Sequence, residues 1–565
     1  MTKQKDLLRL TVSQKTISSF SVRRDWYCTI CIMKVLASTL AILASLSPVA
    51  QTAPLGDLVE YLPDFGRPST PHFSGYLDAT DGCDTEANGE FCKLHYWFAL
   101  AEEDPMNAPT VLWLNGGPGS SSILGFLQEN GPVLMNATGG LMSNPWSWTK
   151  VANLLALEQP VGVGYSYCAN QLKGEVCKNT DKFTASASRA ALVDFFTNKF
   201  PELQANDFFI TGESYAGVYI PTITKEILDN AAEFINLKGI AVGDPCTDND
   251  AQSDSMDSLW YGHKYGLVDD QTFDLLWNHC GARQPNLMTQ GGKHLVAAKL
   301  NQHLKDLHQA NDQKWSTEEL TEYAQKLLDE RKNDPGPNFK DDDAECTLAL
   351  YKYIMSTSKG LSQGWGDLYI DDYSLFAPVT SQEDLDMAEY MSREDVRKAL
   401  HVEETPTSTW PYADVGFDYT KEYDACNWGE VPEGTWSMID FYKDIVPRLD
   451  ITWVYNGDTD PCVSYEGTRT AIKRVGLDEL DGGSYRPWFY NQTAASLALL
   501  GEKAAMFGPN LLTQGMGAQF GGEVVNYEEG LAFLTVHGVS IHLFRNVART
   551  ATPLIVAHLC FCKIF

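Results

Sequence analysis

The chain lacks a membrane-spanning run, is poor in positive charge, and has no metal-finger spacing among its central cysteines. Its largely apolar stretch from Val35 to Ala50 is set off by Lys34 and falls short of the roughly 20 residues that a spanning helix needs. No stable membrane span is therefore expected. Lys and Arg number 43 against 74 Asp and Glu, a formal charge of −31. Such a surface repels nucleic acid and anionic membranes. It suits an acidic compartment, where partial protonation relieves self-repulsion. From Cys83 to Cys462 no C-x-x-C pair or His/Cys cluster suggests a metal site. No internal repeat is present.

What remains is a globular composition. The chain has 565 residues, 44% hydrophobic and 21% charged, enough for one large domain or two ordinary ones. Met33-Lys34, the apolar run and the small residues near Ala50 and Ala53 have the order of a secretory signal. Residues 33–53 are read as that signal, and residues 1–32 as a spurious extension ahead of Met33. Nine cysteines lie between Cys83 and Cys462. In a secreted protein they read as a partial disulfide framework with one left over. Cys83/Cys92 and Cys168/Cys177 are near enough to staple short loops, although spacing does not decide connectivity. Asn136-Ala137-Thr138 and Asn491-Gln492-Thr493 are glycosylation sequons.

Short apolar runs at 110–115, 207–211, 238–243 and 451–456 each end in a turn signal, the pattern of buried strands. Helical spacing separates them; Ile220, Ile223, Ile227 and Leu228 share one face. Strands alternating with helices predict a mostly parallel sheet covered on both sides. Between 245 and 385 the pattern turns helical, at Leu300, Leu304 and Leu307 and again after Ser316 and Glu319. A polar loop comes next, from Lys332 to Asp343. This reads as a helical insertion, or cap, carried by a sheet domain of residues 54–244 and 386–538.

Gly212-Glu213-Ser214-Tyr215-Ala216-Gly217 has a strand-like run before it and a helix-like run after it. Small residues two before and two after the serine allow a sharp turn that exposes its hydroxyl. Ser214 is thus a candidate nucleophile. Asp460 ends the fourth strand-like run, where a carboxylate can orient a histidine. Gly116-Gly117, after the first run, can aim backbone N–H groups at an oxyanion.

With these residues in place, the chain resembles the serine carboxypeptidases, a secretory and vacuolar or lysosomal family of α/β-hydrolase fold. The matching segments are WLNGGPGSSS (113–122), ENGP (129–132), NPWSW (144–148), LEQPVGVGYSY (157–167), GESYAGVYIP (212–221) and YNGDTD (455–460), in the family's order. The resemblance implies Ser214 as nucleophile, Asp460 as triad acid and the N–H groups of Gly117 and Tyr215 as oxyanion hole. It implies that Asn115, Gly116 and Glu213 hold the substrate's C-terminal carboxylate, with Glu129 paired to Glu213. An acid meeting a carboxylate repels it unless one carries a proton, so activity is expected to be greatest in mild acid. The implied activity is removal of C-terminal residues from peptides and proteins, with no metal or organic cofactor. Some relatives are acyltransferases that use the same triad. Self-association into a homodimer is left open.

Two departures stand out. Ser120 replaces a cysteine that the family carries after Gly-Gly-Pro-Gly, which puts that disulfide in doubt. The family's Gly-Ala-Gly-His-Met-Val-Pro segment begins to match at Gly538 and then stops. Its histidine would fall at Ile541; His542 is one position late and out of register for a triad. Val539-Ser540 is encodable by GTN-AGY, a common intron start, so residues 539–565 are read as an aberrant tail, translated from intron. A catalytically silent binding protein is the alternative that this disruption raises.

Overall fold

The computed structural model describes residues 54–136, 139–282, 343–357, 381–411, 417–429, 431–460, 462–492 and 517–538. The signal segment at 33–53, the helical stretches around Leu300 and Ser316, and the tail with His542 lie outside the described residues.

The core is a large mixed sheet. Its main strands are β1 (His72–Asp78), β2 (Cys92–Ala99), β3 (Thr110–Leu114), β4 (Asn153–Leu157), β5 (Phe208–Glu213), β6 (Leu237–Gly243), β7 (Ile451–Gly457), β8 (Arg486–Gln492), β9 (Gly517–Asn526) and β10 (Leu531–Val536), and Tyr167–Cys168 adds a short strand against β2. Their spatial order is β1-β2-β4-β3-β5-β6-β7-β10-β9-β8. The neighbours from β4 through β10 pair in parallel. All four runs predicted as strands fall in this block. Every residue of β3, β4 and β5 is buried, because helices cover both faces and no residue on either side is left for water.

The flanks differ from the parallel reading. β1 and β2 are antiparallel, as are β10, β9 and β8. A short connection suffices for antiparallel neighbours, so no crossover helix announces them. The β1–β2 connection is closed by the Cys83–Cys92 disulfide, and Cys168–Cys177 closes a second short loop.

The helices include α1 (Ile123–Gln128), α2 (Asp181–Asp194), α3 (Ala216–Asn230), α4 (Ser258–Lys264), α5 (Ala344–Thr357), α6 (Met438–Ile445) and α7 (Tyr465–Lys473), of which α4 and α5 fall in the predicted insertion. In α3 the predicted face is buried at Ile220, Ile223 and Ile227, while Lys225 and Asp229 pair outside it at 2.8 Å. Ser437 and Asp440 cap α6 reciprocally, satisfying two otherwise orphaned amides. In the predicted insertion, Leu259, Tyr261, Val268, Leu276, Ala349 and Leu350 form a small core of their own, stapled by Cys280–Cys346. No helix among the described residues is long and apolar enough to cross a membrane.

Candidate active site

Strand register lines up the chemistry. Leu114 pairs with Gly212, Glu213 with Gly243, Gly243 with Tyr455, and Gly457 with Val536. The next residues, Asn115, Ser214, Asp244, Asp458 and His537, therefore stand in a row at the carboxyl ends of five neighbouring strands. That edge is where open α/β sheets bind ligands.

Ser214 sits between β5 and α3 with φ of 63°, a conformation that costs a non-glycine residue about 1–3 kcal/mol. Its surroundings hold it there. Its N–H donates to the Gly243 carbonyl at 2.9 Å, and its carbonyl accepts from Gly217 at 2.8 Å and Cys246 at 3.0 Å. The turn closes because its flanks are bare: a Cβ on Gly212 would lie 2.2 Å from the Leu114 oxygen, and one on Gly217 2.5 Å from the Cys246 oxygen. Cys246 is in turn bonded to Cys426.

The glycine-rich loop lies directly on this turn. A Cβ on Gly116 would fall 2.3 Å from the Tyr215 nitrogen and 3.0 Å from the Ser214 Cβ. Gly116 thus packs on the Tyr215 amide, and its neighbour Gly117 turns the loop at φ of 112°. The Tyr219 hydroxyl accepts from Gly119 N–H at 3.2 Å and ties the loop to α3.

Asn115 is buried, with both ends of its amide assigned by their partners. Oδ1 accepts from Trp113 Nε1 at 2.9 Å and Gly125 N–H at 3.0 Å, leaving Nδ2 to donate to Glu213 Oε1 at 3.0 Å. Glu129 is buried at the end of α1, its carbonyl accepting from Asn144 Nδ2 at 3.1 Å. Glu129 and Glu213 both act on the buried Tyr455, whose phenol is pushed well above its usual range, first by burial and then by these acids and Asp244.

Asp460 comes just after β7 and is buried, with Oδ1 accepting from Cys462 N–H at 2.7 Å. Its neighbour is Asp244, at the end of β6, whose carboxyl is raised well above the usual range, first by burial and then by the Asp460 charge. The described histidines engage other partners. His95 meets Glu158 at 2.8 Å, His263 meets Asp270 at 3.0 Å, and His537 Nδ1 meets Asp458 Oδ2 at 2.7 Å. His542 cannot be placed among them, since it lies outside the described residues.

Sequence reasoning missed two acids. Asp244 carried the signal used for Asp460, an acid at the end of an apolar run. Asp181 reads as a helix-start acid after the Thr180 cap. In the fold it accepts from the Tyr215 and Tyr419 hydroxyls at 2.8 and 2.6 Å, bracing the residue after Ser214. Burial raises its carboxyl. Lys421 rests over the Tyr215 ring at 4.9 Å, its ammonium lowered by burial. Of the sequon asparagines, Asn136 sits in a turn where its Oδ1 accepts from Gly140 N–H at 3.1 Å, and Asn491 lies in β8. His279, Asp343 and Cys346 offer ligand atoms within 4.8 Å of one another, but the Cys346 sulfur is already bonded to Cys280.

A serine at positive φ between a central parallel strand and its helix, beneath a glycine-rich loop, is the arrangement of an α/β-hydrolase. Comparison with known proteins narrows the class. A family model described as serine carboxypeptidase matches residues 63–544. The chain is 29% identical to serine carboxypeptidase-like 20 of Arabidopsis thaliana over 471 residues, covering 79% of this chain and 86% of that one. It is 37% identical to the lysosomal protective protein of Mus musculus over 246 residues, 43% of this chain and 48% of that one. The solved structure of Kex1, a prohormone-processing carboxypeptidase from Saccharomyces cerevisiae, shares the fold, with a TM-score of 0.58 and 19% identity over 91% of this chain and 96% of that one. The chain belongs to the serine carboxypeptidase family.

Proposed function

We propose that the protein removes C-terminal residues from peptides and proteins through an acyl-enzyme on Ser214, at acidic pH. The observation that carries this reading is the Asn115–Glu213 contact at 3.0 Å, which sets an amide donor and an acid beside the candidate nucleophile. Together with Gly116 and Glu129 they suit a free carboxylate, provided that one acid keeps a proton.

In this reading the Ser214 oxygen attacks the carbonyl carbon of the last peptide bond while a histidine takes its proton. The N–H groups of Gly117 and Tyr215 hold the tetrahedral oxyanion. The histidine passes the proton to the departing amino group, the C–N bond breaks, and water then releases the acyl group by the reverse sequence. Asp460 orients the imidazolium. The candidate base is His542, one position out of the family's register. The acidic surface fits a secreted or vacuolar and lysosomal location, with Asn136 and Asn491 glycosylated.

Blocked dipeptides with free and amidated C-termini, assayed from mild acid to neutrality against Ser214→Ala, test the proposal. Release confined to free C-termini and strongest in acid supports it. Equal release from amides, or activity unchanged to about pH 8, overturns it. Transfer of the acyl group from an ester donor without peptide release marks an acyltransferase, and no labelling of Ser214 by a fluorophosphonate marks a silent protein.

A further inference from the structure

Asp244 takes no part in the acyl-transfer steps, yet it follows β6, the strand between β5, which leads to Ser214, and β7, which leads to Asp460. It ends β6 at φ of 40°, held by its N–H to the Tyr455 carbonyl at 2.8 Å. Its side chain is fully buried. Oδ1 accepts from Gly457 N–H at 2.8 Å and Asn456 Nδ2 at 3.3 Å. Oδ2, also buried, receives no donor from the described protein groups. We propose that Asp244 is kept as the neutral acid and hydrogen-bonds through its own proton to Asp460, which makes it a positioning residue for the candidate triad acid.

Two acids that share a dry site cannot both ionise without strong repulsion. The groups that act most on Asp244 are burial, Asp460, the Gly457 amide and the Asn456 amide, none of them a cation. Tyr455 faces it from β7. Tyr261 in α4 and Tyr265 just past α4 face Asp460, and both are neutral phenols. Asp460 Oδ1 already has the Cys462 amide as donor, so a proton on Asp244 completes the pair.

The pH consequence has a definite sign. The folded protein holds this proton to higher pH than the unfolded chain, where Asp ionises near about 3.9. Stability from the pair is therefore fully present below that value. It falls as pH rises towards the raised folded value, and is flat beyond it. Asp244→Asn keeps the shape and the two donors to Oδ1, and supplies Asp460 with a permanent N–H donor.

The test is urea unfolding of the full chain from about pH 4 to about pH 8, for wild type, D244N, D244A and D460N. The wild-type unfolding constant, divided by that of D244N, is expected to climb by up to tenfold per pH unit and then level off. D460N removes the partner's charge and should narrow that extra pH dependence without abolishing it, because burial is the larger cause. D244A supplies no donor and should be less stable than D244N throughout. An infrared band of a protonated carboxyl, present in wild type and missing in D244N, identifies the proton's owner. Parallel wild-type and D244N profiles, or an unchanged band, overturn the inference. The catalytic consequence rests on the peptidase reading: the alkaline limb of peptide release should extend in D244N with KM unchanged, and an unmoved limb refutes a positioning role. Unfolding and infrared need no turnover, so failure of the peptidase reading is distinguishable from failure of this one.

Discussion

Replacing Glu158 by alanine tests what ties the glycine-rich loop to the rest of the fold. Glu158 comes directly after β4 and is fully buried. Its carboxyl gathers the Tyr165 N–H, Trp410 Nε1 and His95 Nδ1, each at 2.8 Å, and the Ser121 hydroxyl. His95 belongs to β2 and meets Ser74 of β1 at 2.9 Å through its other nitrogen. Ser121 belongs to the loop that carries Gly117. Alanine leaves these partners buried without their acceptor, at about 1–3 kcal/mol for each unsatisfied group. Neighbours close in and water enters, so the sum overshoots. Breaking a buried pair by removing one member loses about 3–5 kcal/mol, and that is the expected loss. Glu158→Gln keeps the volume and one acceptor oxygen and should lose about half as much, since its NH2 faces donors. Urea unfolding followed by tryptophan fluorescence should show a lower midpoint with an unchanged slope. A loss below about 1 kcal/mol for E158A would refute the claim that this carboxyl joins the four segments.

Other outcomes come from the same geometry. Gly116→Ala puts a methyl against the Tyr215 amide; fluorophosphonate labelling of Ser214 should slow by about 10²–10³, as when one oxyanion donor is lost. Ser214→Gly removes both the nucleophile and the strain of its φ of 63°, so it should raise stability by about 1 kcal/mol while abolishing labelling, read by denaturation and gel. Asn115→Ala should raise KM for peptides with a free C-terminus far more than it lowers kcat, and it should lose about 1–3 kcal/mol because Trp113 and Gly125 lose their acceptor. Replacing Cys246 and Cys426 by serine removes a bridge across 180 residues and should cost about 5 kcal/mol on the chain-entropy account, measured as a fall in Tm.

The parallel centre of the sheet was legible because its strands carry short apolar runs that end at turn residues. Ser214 was legible because the residues two before and two after it, Gly212 and Ala216, are small. The antiparallel flanks were not. β9 is rich in glycine and carries three polar residues, and β1 buries His72 and Ser74, the serine through the distant Leu400 carbonyl. The convergence on Glu158 joins residues from 95 to 410, and no local pattern encodes that. Asp181 and Asp244 escaped because an acid at a helix start or strand end is ordinarily a cap or a turn. Only tertiary packing gives each a second acid or a tyrosine to face. The nine cysteines read as a framework with one left over; four bridges form among the described residues and Cys462 stands outside them.

The place of β7 has a consequence for how the chain is made. β6 ends at Gly243, but its outer partner begins at Ile451, roughly 200 residues later. At about 5–20 residues per second on the ribosome, the outer edge of β6 waits about 10–40 s for its neighbour. Until then it is a row of unpaired amides and carbonyls in the middle of the future sheet, open to any passing strand. Biosynthesis therefore has a vulnerable interval between these two strands. Nascent chains halted just before Ile451 should recruit chaperones or aggregate, and chains halted after β10 should not.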